Sequence, residues 1–180
     1  MPASTPAAVR AQVSQGRPDP VYLIVGDDDA EMSQVAATIS GLVEDELRAF
    51  NLERVYANEK GVSPFSIVQA ARTLPMLGDR RVVVVLRAEK FLKPKRRGSA
   101  EGAEEDAEGA EGAGDLKALE EYVQRPEPST VLVLVASDVD RQRRIYKTIQ
   151  KQATIVECWG LRGSRDARVH PAEAARAAEA

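Results

Sequence analysis

The segment Arg81 to Leu86, RVVVVL, constrains the fold of this chain more than any other. Four consecutive valines leave no polar alternation, so both faces of the segment must be covered, as in a central strand of a parallel sheet. Val21 to Val25 (VYLIV, ended by Gly26) and Thr130 to Ala136 (TVLVLVA) read the same way. Phe50 to Ala57 and Thr154 to Cys158 complete a set of five expected strands. Between them lie helical patterns. Asp27, Asp28 and Asp29 can each cap a helix carrying Met32, Val35, Ile39, Leu42, Val43 and Leu47 at helical spacing. Ser63 and Pro64 form a cap and first-turn signal for a helix with Phe65, Ile67, Val68, Ala71 and Leu74, which Pro75 helps to end. Asp115 to Val123 and the basic stretch Asp140 to Gln152 are the remaining helices. Strands alternating with helices predict an α/β domain of three layers: a five-stranded, largely parallel sheet with helices on both faces.

A chain of 180 residues supports one ordinary core. The first twenty residues, rich in Ala, Pro, Ser and Gln, read as a disordered leader, and the ordered domain spans 21–161. Within it the low-complexity acidic stretch 94–115 has almost nothing apolar to bury and reads as a disordered insertion. The stretch 162–180 reads as a tail. Of 25 basic and 28 acidic residues, the insertion holds three and seven, which leaves 22 against 21 elsewhere. So balanced a surface makes no electrostatic case for direct, tight DNA binding. No apolar run approaches the roughly 18 residues of a membrane span, and the N-terminus lacks the apolar block of a secretory signal, so the expected compartment is the cytoplasm. One cysteine, Cys158, cannot form an internal disulfide or a multi-cysteine zinc site, and the one histidine, His170, lies in a polar tail; no metal and no cofactor are expected.

Open α/β folds bind phosphate at the first strand-to-helix turn, where backbone N–H groups face the anion. Laid over GxxxxGK[ST], that turn keeps Gly26 and Ser33 but has Glu31 for the second glycine and Met32 for the lysine. Three aspartates and a glutamate would repel a triphosphate, and no lysine neutralises it. The turn YLIVGDDDAEM also resembles the opening of a response-regulator receiver, in which paired carboxylates hold Mg²⁺; a phosphorylation-regulated signalling domain is therefore the alternative. A receiver needs an aspartate after its third strand and a lysine after its fifth, where this chain has Arg87, Ala88, Glu89 and Cys158, Trp159, Gly160; only Ser137 fits. Helix capping by Asp27 to Asp29 explains the acidity without a metal. The loop Leu74, Pro75, Met76, Leu77, Gly78 offers large apolar residues at a tight turn, either folded back on the core or exposed as an anchor for a partner.

Three stretches, FNLERVYA (Phe50 to Ala57), ARTLPMLGDRRVVVVLRAEKFL (Ala71 to Leu92) and Leu119 to Leu161, make the chain resemble the N-terminal domain of the delta subunit of the bacterial DNA polymerase III clamp loader. The resemblance implies a P-loop NTPase-like fold of the AAA+ type that does not hydrolyse ATP. It implies a wedge that opens the ring-shaped sliding clamp (beta) for loading onto primed DNA, with Met76 and Leu77, supported by Leu74 and Pro75, in the clamp contact. The family often has an aromatic residue in this pair; here there is none. The other implied partners are the gamma/tau and delta prime subunits, with DNA contacted only indirectly, and any enzyme activity belongs to the polymerase holoenzyme. Related subunits carry Ser-Arg-Cys near the last strand, with the arginine acting on a neighbour's ATP, where this chain reads Val156, Glu157, Cys158. A glutamate cannot stabilise phosphoryl charge. Arg141, Arg143, Arg144 and Lys147 either touch DNA or a neighbouring subunit or form a solvated face. The family continues into a lid and a helical collar, so 162–180 is expected to begin a lid domain.

Overall fold

A computed structural model describes residues 4–93 and 105–160, with side chains from 114 onward in the second stretch. The tail 162–180 and residues 94–104 of the insertion lie outside the described residues. Five strands, β1 (Val21–Gly26), β2 (Leu52–Tyr56), β3 (Arg81–Leu86), β4 (Thr130–Ala136) and β5 (Thr154–Cys158), form one parallel sheet in the order β2-β3-β4-β1-β5. The three apolar runs are its three inner strands, where burial on both faces requires them. β2 (LERVY) is an edge strand and is only partly buried, in keeping with its two charged residues.

Alternation along the strands divides the core. Leu23, Val25, Val83, Val85, Leu132 and Leu134 pack beneath α4 (Pro64–Arg72), α6 (Glu105–Gln124) and α7 (Arg144–Gln152). Tyr22, Ile24, Val82, Val84, Val131 and Val133 face α1 (Pro6–Ser14) and α2 (Asp29–Ser40). A 3-10 turn (Asp45–Leu47) with α3 (Arg48–Asn51), and the short α5 (Glu89–Leu92), complete the elements. Receivers order their strands 2-1-3-4-5, whereas β1 here sits between β4 and β5. The sheet order therefore overturns the receiver alternative.

Three expectations need correction. The leader is not wholly irregular: Thr5 caps α1 by accepting from the Ala8 N–H at 3.2 Å, Pro6 occupies the first turn, and Val9 is fully buried. Ser4 extends the sheet beyond β5 by donating to the Ile155 carbonyl at 2.7 Å. The second correction is that α6 begins at Glu105, inside the stretch expected to be irregular. Its Ala and Glu content favours helix even without apolar residues, and Leu119, Tyr122 and Val123 anchor its C-terminal half in the core, which supplies the nucleus. Third, α2 stops at Ser40 rather than reaching Leu47, and α4 stops at Arg72, before Leu74.

Tyr22 and Tyr122 are fully buried, and burial pushes both phenols up to about 12. An unfolded tyrosine ionises near 10, so between these values the folded chain holds protons that the unfolded chain releases. Their contribution is complete below pH 10 and is lost as pH rises toward 12. Urea midpoints measured across that window should fall with a slope on the order of two protons per molecule, and Tyr22→Phe should flatten it.

Candidate functional site

The first strand-to-helix turn is filled by its own backbone. The Asp27 and Asp28 N–H groups both donate to the Cys158 carbonyl at 3.1 Å, so two donors of the turn are turned onto β5. Asp28 caps α2 by accepting from the Glu31 N–H at 2.9 Å, and Asp27 accepts from the Gly160 N–H at 2.9 Å. Met32, at the lysine position, points into the core with Val35 and Ile39, while Ser33 is exposed and Glu31 half-buried. A Cβ at Gly26 would lie 1.8 Å from the Cys158 oxygen. Among the described residues no three His, Cys, Asp or Glu side chains are grouped to hold a metal ion.

Cys158 is free and fully buried here. Burial, reinforced by the nearby Glu31 and Asp28 carboxylates, pushes its thiol up to about 12. At pH 8 about one molecule in ten thousand would be thiolate. A maleimide reagent should therefore leave the folded chain unlabelled and react fully in urea; rapid native labelling, followed by mass spectrometry, would contradict this burial.

The basic stretch is mostly engaged within the chain. Arg141 pairs with Glu157 at 3.2 Å, Arg144 with Glu120 at 2.9 Å, and Arg143 donates to the Phe91 and Lys93 carbonyls at 2.7 and 3.0 Å, closing the end of α5. Lys147 is exposed. Residues 140–143 form a turn rather than the start of the helix.

The apolar loop behaves differently. After α4, Leu74, Met76 and Leu77 are 65, 56 and 85% exposed, with Pro75 half-buried between them. The reading in which Leu74 and Leu77 fold back on the core is excluded. The loop is nevertheless fixed: the Met76 N–H donates to Asn51 Oδ1 at 2.7 Å, and Asn51 Nδ2 donates to the Met76 carbonyl at 2.8 Å. Leu77 adopts φ 55°, a left-handed conformation that costs a branched L-residue on the order of 1–2 kcal/mol. Arg81 secures the base of the loop by donating to the Ala70 carbonyl at 3.1 Å and the Phe50 carbonyl at 2.7 Å, and it pairs with Glu53. Phe50 and Phe65, on α3 and α4, are 50 and 49% exposed. Sequence reasoning placed Phe50 in a strand and Phe65 on a helix's apolar face, and it did not find Asn51 or Arg81. An Asn near the start of the expected strand Phe50 to Ala57, 25 residues from the loop, carries no local sign of its role.

Comparisons with known proteins bear on the family and the fold. The family model described as DNA polymerase III, delta subunit, matches residues 22–159. The DNA polymerase III subunit delta of Bacillus subtilis (strain 168) is 26% identical over 148 residues, covering 81% of this chain and 39% of the relative. The solved structure of the Bacillus subtilis DNA clamp loader delta protein superposes with a TM-score of 0.70 at 25% identity, over 86% of this chain and 42% of that one. A DNA polymerase III gamma subunit-related protein from Thermotoga maritima shares the fold, with a TM-score of 0.54 at 16% identity over 86% of this chain and 46% of that one. The chain thus spans about two fifths of the delta relatives it matches. On a match running from β1 through the end of β5, this chain belongs to the DNA polymerase III delta subunit family.

Proposed function

We propose that this chain binds a sliding clamp through the Leu74–Leu77 loop and favours the open ring, acting in clamp loading without turning over a nucleotide itself. The observation that carries the reading is Leu77: 85% exposed, held at φ 55°, and joined to a residue locked by two hydrogen bonds. A large apolar side chain kept outside the core in a strained backbone gives nothing to the fold; it gains free energy only in another molecule's pocket. Met76 beside it adapts its shape to such a pocket. Opening a ring then needs only tighter binding to the open form than to the closed one.

The nucleotide-independent part of the proposal rests on the first turn, where the N–H groups of Asp27 and Asp28 already serve Cys158 and Met32 replaces a phosphate-neutralising lysine. Glu157, paired with Arg141, offers a neighbouring subunit no cationic finger. Assembly with gamma/tau and delta prime subunits, indirect contact with DNA and a cytoplasmic location belong to the same proposal. Among the described residues no helix is long and apolar enough to cross a membrane. The test is equilibrium binding of the cognate clamp, without nucleotide, to the parent chain and to aspartate variants of the loop.

A further inference from the structure

Asn51 is a polar side chain with no exposed surface, at the last position of α3. Its amide gives and takes one hydrogen bond with the same residue, Met76. Paired antiparallel strand residues exchange bonds in this way, so the amide stands in for a neighbouring strand that the loop does not have. The amide orientation is fixed, because the Met76 N–H requires an acceptor and its carbonyl a donor. On the other side of Leu77 the chain is confined as well. A Cβ at Gly78 would lie 2.9 Å from Leu47 Cδ1 and 3.2 Å from Asn51 Nδ2. Leu77 is thus held between a locked residue and a cramped one, and the positive φ falls on the most exposed large apolar side chain among the described residues.

We infer that Asn51 is the positioning residue of the partner contact: it presents Met76 and Leu77 in their binding conformation before the partner arrives. The inference rests on the clamp-binding reading and adds to it a residue that never touches the clamp. A preorganised loop spares the complex the ordering of several residues, and that saving appears as affinity. When only a fraction of molecules holds the competent conformation, apparent affinity falls by that fraction.

Two variants test it, Asn51→Ala and Gly78→Ala, with Leu77→Asp as reference. Amide hydrogen exchange by NMR reads the loop directly. Each alanine variant should exchange the Met76 amide much faster than the parent, while the Val83 and Val84 amides of β3 stay protected. Clamp affinity should fall about tenfold or more, chiefly through slower association. Gly78→Ala lies in a loop outside the regular elements, so it keeps the question open to measurement should Asn51→Ala fail to fold. An unchanged Met76 exchange rate, or parent-like clamp affinity in a folded alanine variant while Leu77→Asp no longer binds, overturns the inference. Binding retained by Leu77→Asp overturns the clamp-binding reading itself, and the role of Asn51 in it with that reading.

Discussion

Replacing Met76 and Leu77 together by aspartate should abolish capture of the sliding clamp while leaving the chain as resistant to urea as the parent. The two halves of this expectation have separate physical origins. Leu77 is 85% and Met76 56% exposed, so neither contributes much burial to the fold. Exposed substitutions of this kind shift stability by less than about 0.5 kcal/mol, and Asp at position 77 also tolerates a left-handed backbone better than Leu does. In a complex the balance reverses. Two apolar anchors at the centre of an interface contribute on the order of 2 kcal/mol each, and an unpaired carboxylate driven into an apolar pocket costs more again. The affinity loss should therefore be at least on the order of a thousandfold. Titration calorimetry with the cognate clamp reads the first half, and urea unfolding the second. Equal binding by parent and variant would show that the loop is not the contact.

What the sequence disclosed about this fold follows from how locally each feature is encoded. RVVVVL and TVLVLVA announce buried central strands because the information lies in consecutive side chains. Ser63-Pro64 announces α4 for the same reason, and the structure realises it as a reciprocal pair of Ser63 and Ser66 side-chain bonds to the first turn. Thr5-Pro6 is the same kind of signal, but the polar composition around it and Pro18 and Pro20 after it outweigh it in the sequence. In α6 the weight given to absent apolar residues hid the helix propensity of alanine and glutamate. The apolar loop was legible as Leu74 to Leu77, but whether it faced in or out was not. That depends on Asn51 and Arg81, whose hydrogen bonds cross long stretches of chain, and on a positive φ at a residue that does not favour one. In the basic stretch, Arg141, Arg144 and Lys147 do lie on an exposed face, but charge alone gave no sign that Arg143 reaches carbonyls at the α5 end or that Arg144 pairs with buried Glu120.

Gly26→Ala should unfold the domain or bring it close to unfolding, and the reason revises what that glycine is for. In a phosphate-binding turn the first glycine makes the tight turn that lets the following backbone approach an anion. Here the approaching group is the chain itself: an added Cβ would sit 1.8 Å from the Cys158 oxygen and 2.4 Å from its carbonyl carbon. Those are backbone atoms, so no rotamer change relieves the overlap, and β5 has to move away from β1. That movement would break the Gly26–Cys158 register and draw the carbonyl away from the Asp27 and Asp28 N–H groups, leaving two donors without a partner. It would also disturb the contact of Cys158 and Val156 with Met32 and Val35 beneath α2. Overpacking with no route of relaxation, added to lost hydrogen bonds, places the loss at about 3 kcal/mol or more, a large share of a domain stability of roughly 5–15 kcal/mol. The urea midpoint should drop sharply, and Cys158, shielded in the parent, should become reactive toward maleimide under native conditions. Asp29→Ala, three residues away at the exposed start of α2, trims a side chain back to a Cβ that is already accommodated, so it creates no backbone clash and should leave both readouts near the parent. If Gly26→Ala instead matched Asp29→Ala, β5 would not lie against β1 as closely as the structure has it, and the turn would again have room for an anion.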